Sequence, residues 1–286
     1  MKIGIDAIYR RVSVRTYDPA PLGPEAVAAL EAAFLEAVPG PFGRKPRFTL
    51  VSRDGGAHGG KIGTYGVISG ATTFIAGVVE TGDFACVDFG YSLEGIILRA
   101  TELGLGTCWL GGVFDRAVVK RALGAGRTEF CPATSPVGKA SGKLGLQDRL
   151  IRAGADARNR KDASELFFSA GEDGSWFPLG TPGSFAPLLE AVRLGPSASN
   201  KQPWRLVADR RGPAEALHLF MQEERFYNNM LGAVKLQEID MGIAMRHVEV
   251  AAASAGIQGS WNRLGASPVK SEGTRRYIAS WTAQKA

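Results

Sequence analysis

Residues suited to metal and thiol chemistry are scarce. Three cysteines (Cys86, Cys108 and Cys131) among 286 residues are an odd number at spacings that match no zinc or disulfide framework, so reduced thiols, at least partly in the core, are expected. Three histidines (His58, His218 and His247) lie scattered without ligand spacing, which argues against a metal enzyme. No Ser-His or Cys-His constellation offers an activated nucleophile. No stretch approaches the roughly 18 uninterrupted apolar residues of a membrane span. The opening MKIGIDAIYRRVSVR lacks the apolar block of a secretory signal, so the expectation is a cytoplasmic protein that meets no membrane. Charge of one sign is in slight excess only, 34 basic against 28 acidic residues for a net +6. A solvated surface absorbs most of that excess, and some arginines remain for a small anionic ligand. No long basic block interleaves with aromatics, so nucleic acid is not an expected partner.

What is present is an ordinary globular composition, 45% hydrophobic and 22% charged. At roughly 150 residues per domain the length predicts two domains or one large one. The chain also repeats itself. DFGYSLEGIILRATELGLGTCW from Asp88 and DMGIAMRHVEVAAASAGIQGSW from Asp240 share Asp and Gly two apart, a later Gly, and a Trp, at a constant offset of 152 residues. Upstream, Leu-Glu-Ala recurs at Leu30 and Leu189, and a proline precedes a strand at Pro46 and Pro203. Each half has the same predicted order. The first reads as a helix over 24–38, strands over 48–51 and 72–79, a helix over 91–103 and a strand over 130–134. The second reads as a helix over 185–193, strands over 205–208 and 216–221, a helix over 243–255 and a strand over 277–281. The expected architecture is α+β: unit 1 over 1–165 and unit 2 over 166–286, two sheets related by a pseudo-twofold axis with the repeated helices packed at the centre.

Five strings bear on chemistry. GGAHGGKI (55–62) has P-loop spacing as far as Lys61, then Ile62 where Ser or Thr must stand, so it reads as a loop. GLGTCWLGG (104–112) follows a helix, not a strand, and is no dinucleotide fingerprint; its glycines end the helix and allow close backbone approach. In RRVSVRTYD, Arg11, Ser13 and Arg15 alternate, so extended backbone places two guanidinium forks and a hydroxyl on one face, suited to a phosphate or to an exposed basic edge. RNRKDASEL repeats that spacing at Arg158 and Arg160 between the two units, where a basic linker would look the same. GPSASNKQPW (195–204) is the most specific. Its Pro, Ser and Asn suit a turn, and Asn200 and Gln202 supply donors and acceptors of the kind a heteroaromatic ring edge requires. The matching VPGPFGRKPRF in the first unit lacks both the serines and the amides, so the repeat has diverged there.

Together, RRVSVR (Arg10–Arg15), GLGTCWLGG, RNRKDASEL and PSASNKQPW resemble the nitroreductase superfamily, and most of all the nitroreductase family in which two such units are fused in one chain. The resemblance spans nearly the whole length. It implies FMN at the interface of the two units, with Arg11, Ser13, Arg15, Arg158 and Arg160 on the flavin phosphate and Arg10 counted in the same cofactor-binding set. It implies that backbone amides of Leu110, Gly111 and Gly112 lie near the flavin ring as the catalytic loop, and that Pro196, Ser197, Asn200 and Gln202 reach across from the other unit. The first unit lacks a PSxxNxQPW segment and the second lacks Arg-x-Ser-x-Arg, so one FMN per chain is expected. The implied activity is hydride transfer from NAD(P)H through the flavin to a small-molecule electron acceptor such as a nitroaromatic or quinone. The alternative is a non-catalytic flavin- or nucleotide-binding protein that has kept the fold. Acceptor choice is expected from loops over 55–70 and 222–231, and a fused pair predicts a monomer.

Overall fold

The computed structural model describes residues 2–53, 62–142, 159–224, 234–271 and 273–284. Arg158 and the glycine run over 55–61 lie outside the described residues, as do 225–231 of the second expected acceptor loop. The first half comprises α1 (Asp6–Arg10), α2 (Pro24–Leu35), β1 (Arg47–Ser52), β2 (Thr73–Glu80), α3 (Ala85–Glu102), β3 (Gly106–Thr107), α4 (Arg116–Ala122), β4 (Glu129–Phe130) and β5 (Thr134–Gly138). The second comprises α5 (Ala163–Leu166), β6 (Phe167–Ala170), β7 (Trp176–Pro178), α6 (Ala186–Arg193), β8 (Trp204–Asp209), β9 (Ala216–Gln222), α7 (Leu236–Ser254), β10 (Gly259–Asn262) and β11 (Arg275–Ala283). Short 3-10 turns precede α6 at Gly183–Phe185 and follow it at Ala198–Asn200. The chain is α+β, as its pattern predicts.

Each half builds one sheet. The first runs β1-β2-β5-β3, with β4 also on β2, and every pairing is antiparallel. The second runs β10-β11-β9-β8-β6-β7, in which β6 and β8 alone pair parallel. The strand expected over 130–134 is instead two, β4 and β5, separated by Cys131, Pro132 and Ala133. Pro132 has no N–H to offer a ladder, which breaks the run.

Between the sheets α3 lies against α7. Both begin a turn or two before the apolar stripe suggests, because their first turns carry buried polar residues that periodicity does not count. Asp88 accepts the N–H groups of Phe42 and Arg44, and Asp240 that of Ala198, so each carboxyl ties an upstream loop to its helix. The crossing is set by two glycines one repeat apart. A Cβ on Gly90 would lie 2.3 Å from the Ile239 carbonyl oxygen, and one on Gly242 would lie 2.0 Å from that of Val87. Only hydrogen fits at either place. Buried polar pairs cross the same seam: Glu94, bonded to Trp109 Nε1 at 2.8 Å, meets His247 at 2.9 Å, and Arg246 donates to Tyr91 at 3.0 Å.

The cores do not respect the division at residue 165. Ile3, Ala7 and Ile8, on and beside α1, pack with Leu188, Trp204, Leu219 and Trp281 of the second half. The three cysteines are free and buried. Among the described residues no helix is long and apolar enough to cross a membrane, and no cluster of ligating side chains forms a metal site.

Candidate functional site

A cavity of about 500 Å³ opens where the two halves meet, within the range of small-molecule sites. The first half contributes Arg11, Ser13 and Arg15 beyond α1, and the segment from Cys108 to Val113 beyond β3. The second contributes Arg160, Pro196 to Asn200, and Leu236, Ile239, Asp240 and Ile243 from one face of α7.

One part of the lining is basic. The strand-like segment after α1 pairs with β3, through Val14 N–H to the Thr107 oxygen at 2.8 Å and a parallel bridge from Ser13 to Thr107. That pairing fixes the alternation that puts Arg11, Ser13 and Arg15 together. Arg11 Nη1 is buried with no hydrogen-bond partner among the described residues. Arg160 is held below the usual arginine range, by burial first and then by the nearby cations Arg11 and Arg193. Converging guanidinium groups that repel one another in a cavity make a site for a polyanion.

Another part of the lining is made of backbone and apolar side chains. Leu110 is bonded in both directions to Thr134, at 2.9 and 3.0 Å. Its amide is therefore committed to the sheet; of the three loop amides expected from sequence, those of Gly111 and Gly112 make no backbone hydrogen bond among the described residues. Arg116 donates to the carbonyl oxygens of Gly111, Cys131 and Pro132 and so fixes the loop from behind. A Cβ on Gly111 would come within 2.4 Å of Leu236 Cδ2, so glycine leaves room for that methyl group over the loop.

The segment over 196–202 is wound tightly. Ser199, Asn200 and Gln202 all have positive φ, at 48°, 54° and 48°, a conformation that costs non-glycine residues and persists when surrounding bonds over-determine it. Those bonds are present. Gln202 N–H donates to Ser197 Oγ at 2.8 Å, and Ala198 N–H to Asp240. The two amides are bonded to protein groups. Asn200 accepts from Arg160 at 2.6 Å and donates to the Asn159 carbonyl at 2.7 Å; Gln202 accepts from Lys161 N–H at 2.9 Å. Their work is to clamp residues 159–161, and with them Arg160, against the cavity.

Of the residues expected from sequence, Arg11, Ser13, Arg15, Leu110, Gly111, Gly112, Arg160, Pro196, Ser197 and Asn200 line the cavity. Arg10 does not: it ends α1 and is exposed. Gln202 lies buried behind the wall. Asp240, Arg116 and the apolar face of α7 were not among those expected. Asp240 had a signal, as the first residue of the repeated segment. Arg116 had none.

The equivalent place in the other half is built differently, as a smaller pocket of about 330 Å³ lined by Phe84, Lys235, Glu238, Arg263 and Arg276. Phe84 stands one repeat before Leu236, and Arg263 one repeat after Gly111. Phe42 stacks on Phe84 with ring centroids 4.3 Å apart at 17°, and the Arg263 guanidinium lies 4.5 Å over the same ring. Where the cavity has a leucine and a glycine, these residues pack on each other.

Two α+β halves with paired central helices and a cavity of about 500 Å³ at their junction match the nitroreductase fold. The family model described as "Putative TM nitroreductase" matches residues 4–252, and the chain belongs to this family. A crystal structure titled as a putative nitroreductase from Thermotoga maritima aligns over 99% of this chain and 93% of its own, at 16% identity and a TM-score of 0.58. Shorter nitroreductases align with about half of the chain. One from Bacteroides fragilis with bound FMN shows 23% identity over 49% of this chain and 90% of its own, TM-score 0.38. An FMN-dependent nitroreductase from Clostridium difficile shows 19% identity over 49% and 89%, TM-score 0.39. No curated protein sequence matches.

Proposed function

We propose that the protein is an FMN-dependent oxidoreductase that takes hydride from NAD(P)H and delivers it to an electron-poor acceptor such as a nitroaromatic or quinone, with one FMN per chain. Membership of the nitroreductase family supports an oxidoreductase. The observation that carries the cofactor is the mixed lining of the cavity: arginines and a serine make one part of it, and Gly111, Gly112 and the apolar side chains of α7 make another. A phosphate monoester joined to a flat ring system matches both parts.

The flavin, when bound, supplies the redox chemistry. The chain supplies placement and field. Arg11, Ser13, Arg15 and Arg160 hold the phosphate. The amides of Gly111 and Gly112 stabilise negative charge at the ring. Leu236, Ile239 and Ile243 keep water from that part, which strengthens each remaining polar contact. The stack of Phe42, Phe84 and Arg263 supports a single site, since the counterparts of Leu236 and Gly111 pack on each other and leave a smaller pocket of about 330 Å³. A cytoplasmic monomer, already containing both halves of the usual pair, belongs to the same reading.

The visible spectrum of the purified protein, with the flavin released on denaturation quantified, tests the cofactor first. About one FMN per chain is expected. Two would show that the second place opens, and a colourless protein that takes up no added FMN would sink the proposal. Oxidation of NADH or NADPH with a quinone then separates an enzyme from a protein that binds flavin without turnover.

A further inference from the structure

The repeat provides an internal comparison at one carboxyl. Asp88 in α3 and Asp240 in α7 are equivalent residues, and both are buried. In the first half both oxygens are satisfied, Oδ1 by Phe42 N–H at 2.9 Å and Oδ2 by Arg44 N–H at 2.8 Å. In the second half Oδ1 accepts Ala198 N–H at 3.0 Å, while Oδ2 is buried with no hydrogen-bond partner among the described residues. The difference falls where the ligand site falls. Asp240 lines the cavity, whereas the stacked rings of Phe42 and Phe84 stand beside Asp88. A buried polar atom without a partner costs about 1–3 kcal/mol, and one that persists has a reason to be there.

We propose that Asp240 is a ligand-contacting residue, whose protonated Oδ2 donates a hydrogen bond to an acceptor atom in the phosphate-free part of the flavin, its ring edge or its ribityl chain. This rests on the flavin reading above. Since Oδ1 faces a donor, the carboxyl proton belongs on Oδ2. The apolar neighbours Leu236, Ile239 and Ile243 on the same face disfavour the carboxylate. Burial pushes Asp240 up to about 8, and the Ala198 N–H offsets only part of that. The titratable groups on the surrounding elements are Arg11, Arg15, Arg160 and Cys108 around the cavity, Cys86, Asp88, Tyr91, Glu94, Arg99 and Glu102 on α3, and Glu238, Arg246, His247 and Glu249 on α7 itself. None of them is among its described hydrogen-bond partners. The acid is therefore neutral near pH 7, and a neutral acid is a donor.

A carboxyl that served only to hold residue 198 would do so better when ionised, so its loss of a proton would leave flavin binding unchanged or tighter. The ligand-contacting role has the opposite sign. FMN affinity of the full chain, measured by fluorescence quenching, is expected to fall about tenfold between pH 7 and pH 9 as Asp240 ionises. Asp240→Asn keeps the acceptor for Ala198 and a neutral donor in place of the O–H. It is expected to bind FMN within about threefold of wild type at pH 7 and to lose the wild-type fall toward pH 9. Equal wild-type affinity at both pH values, or a fall in Asp240→Asn parallel to wild type, would overturn the assignment. FMN bound by neither protein at either pH would overturn the flavin reading itself, a separate result.

Discussion

At the scale of single residues, two adjacent arginines make a sharp contrast. Arg10 and Arg11 are chemically alike, yet α1 ends between them: Arg10 is exposed on the last turn, and Arg11, in the cavity lining, has a buried Nη1 without a hydrogen-bond partner among the described residues. Charge-assisted hydrogen bonds contribute about 1.5–3 kcal/mol. Arg11→Ala is therefore expected to weaken FMN binding by about 10- to 100-fold, and Arg10→Ala to leave it unchanged. Equal losses in the two variants, measured by flavin fluorescence titration, would remove the phosphate assignment. The alternating Arg-x-Ser-x-Arg was legible because strand geometry fixes which side chains share a face. The roles of Asn200 and Gln202 were not, since a side-chain inventory says what an amide can do and not whether protein or ligand is nearer. Their partners, residues 159–161, lie some forty positions away in sequence.

At the scale of elements, the repeated helices were the most readable part, as an apolar stripe in a long segment always is. Their early starts were not readable, because Asp88 and Asp240 become compatible with burial only through loops that fold onto them. The glycine crossing gives a direct test. A methyl group on Gly242 would meet the Val87 carbonyl oxygen at 2.0 Å, closer than any atom pair tolerates. Overpacking of this kind costs about 1–3 kcal/mol or more. Gly242→Ala is expected to lower the thermal midpoint by several degrees, whereas the same substitution at Gly265, where a Cβ meets nothing within 4 Å, should not. An unchanged midpoint in Gly242→Ala would mean that α3 and α7 do not pack this closely in solution.

At the scale of the molecule, the division near residue 165 describes the sheets but not the cores. Ile8 is 3% exposed and belongs with the second-half residues Leu188 and Trp204. Nothing in the local pattern of so short a helix announces a partner nearly two hundred residues later. Ile8→Ala is expected to cost about 2–5 kcal/mol. Native-state hydrogen exchange should report that loss in β8 and β9 of the second sheet, not in β1 and β2 of the first. Faster exchange confined to the first sheet would contradict the packing.

The stacked Phe42, Phe84 and Arg263 show what a single chain allows that a symmetric pair forbids. In a homodimer one codon writes both walls, so every substitution is felt twice, once where it helps and once where it must merely be tolerated. Here Leu236 and Phe84, or Gly111 and Arg263, are separate letters of one text. Selection can sharpen one member of each pair and recruit the other as packing, so the duplication converts a shared constraint into two independent variables.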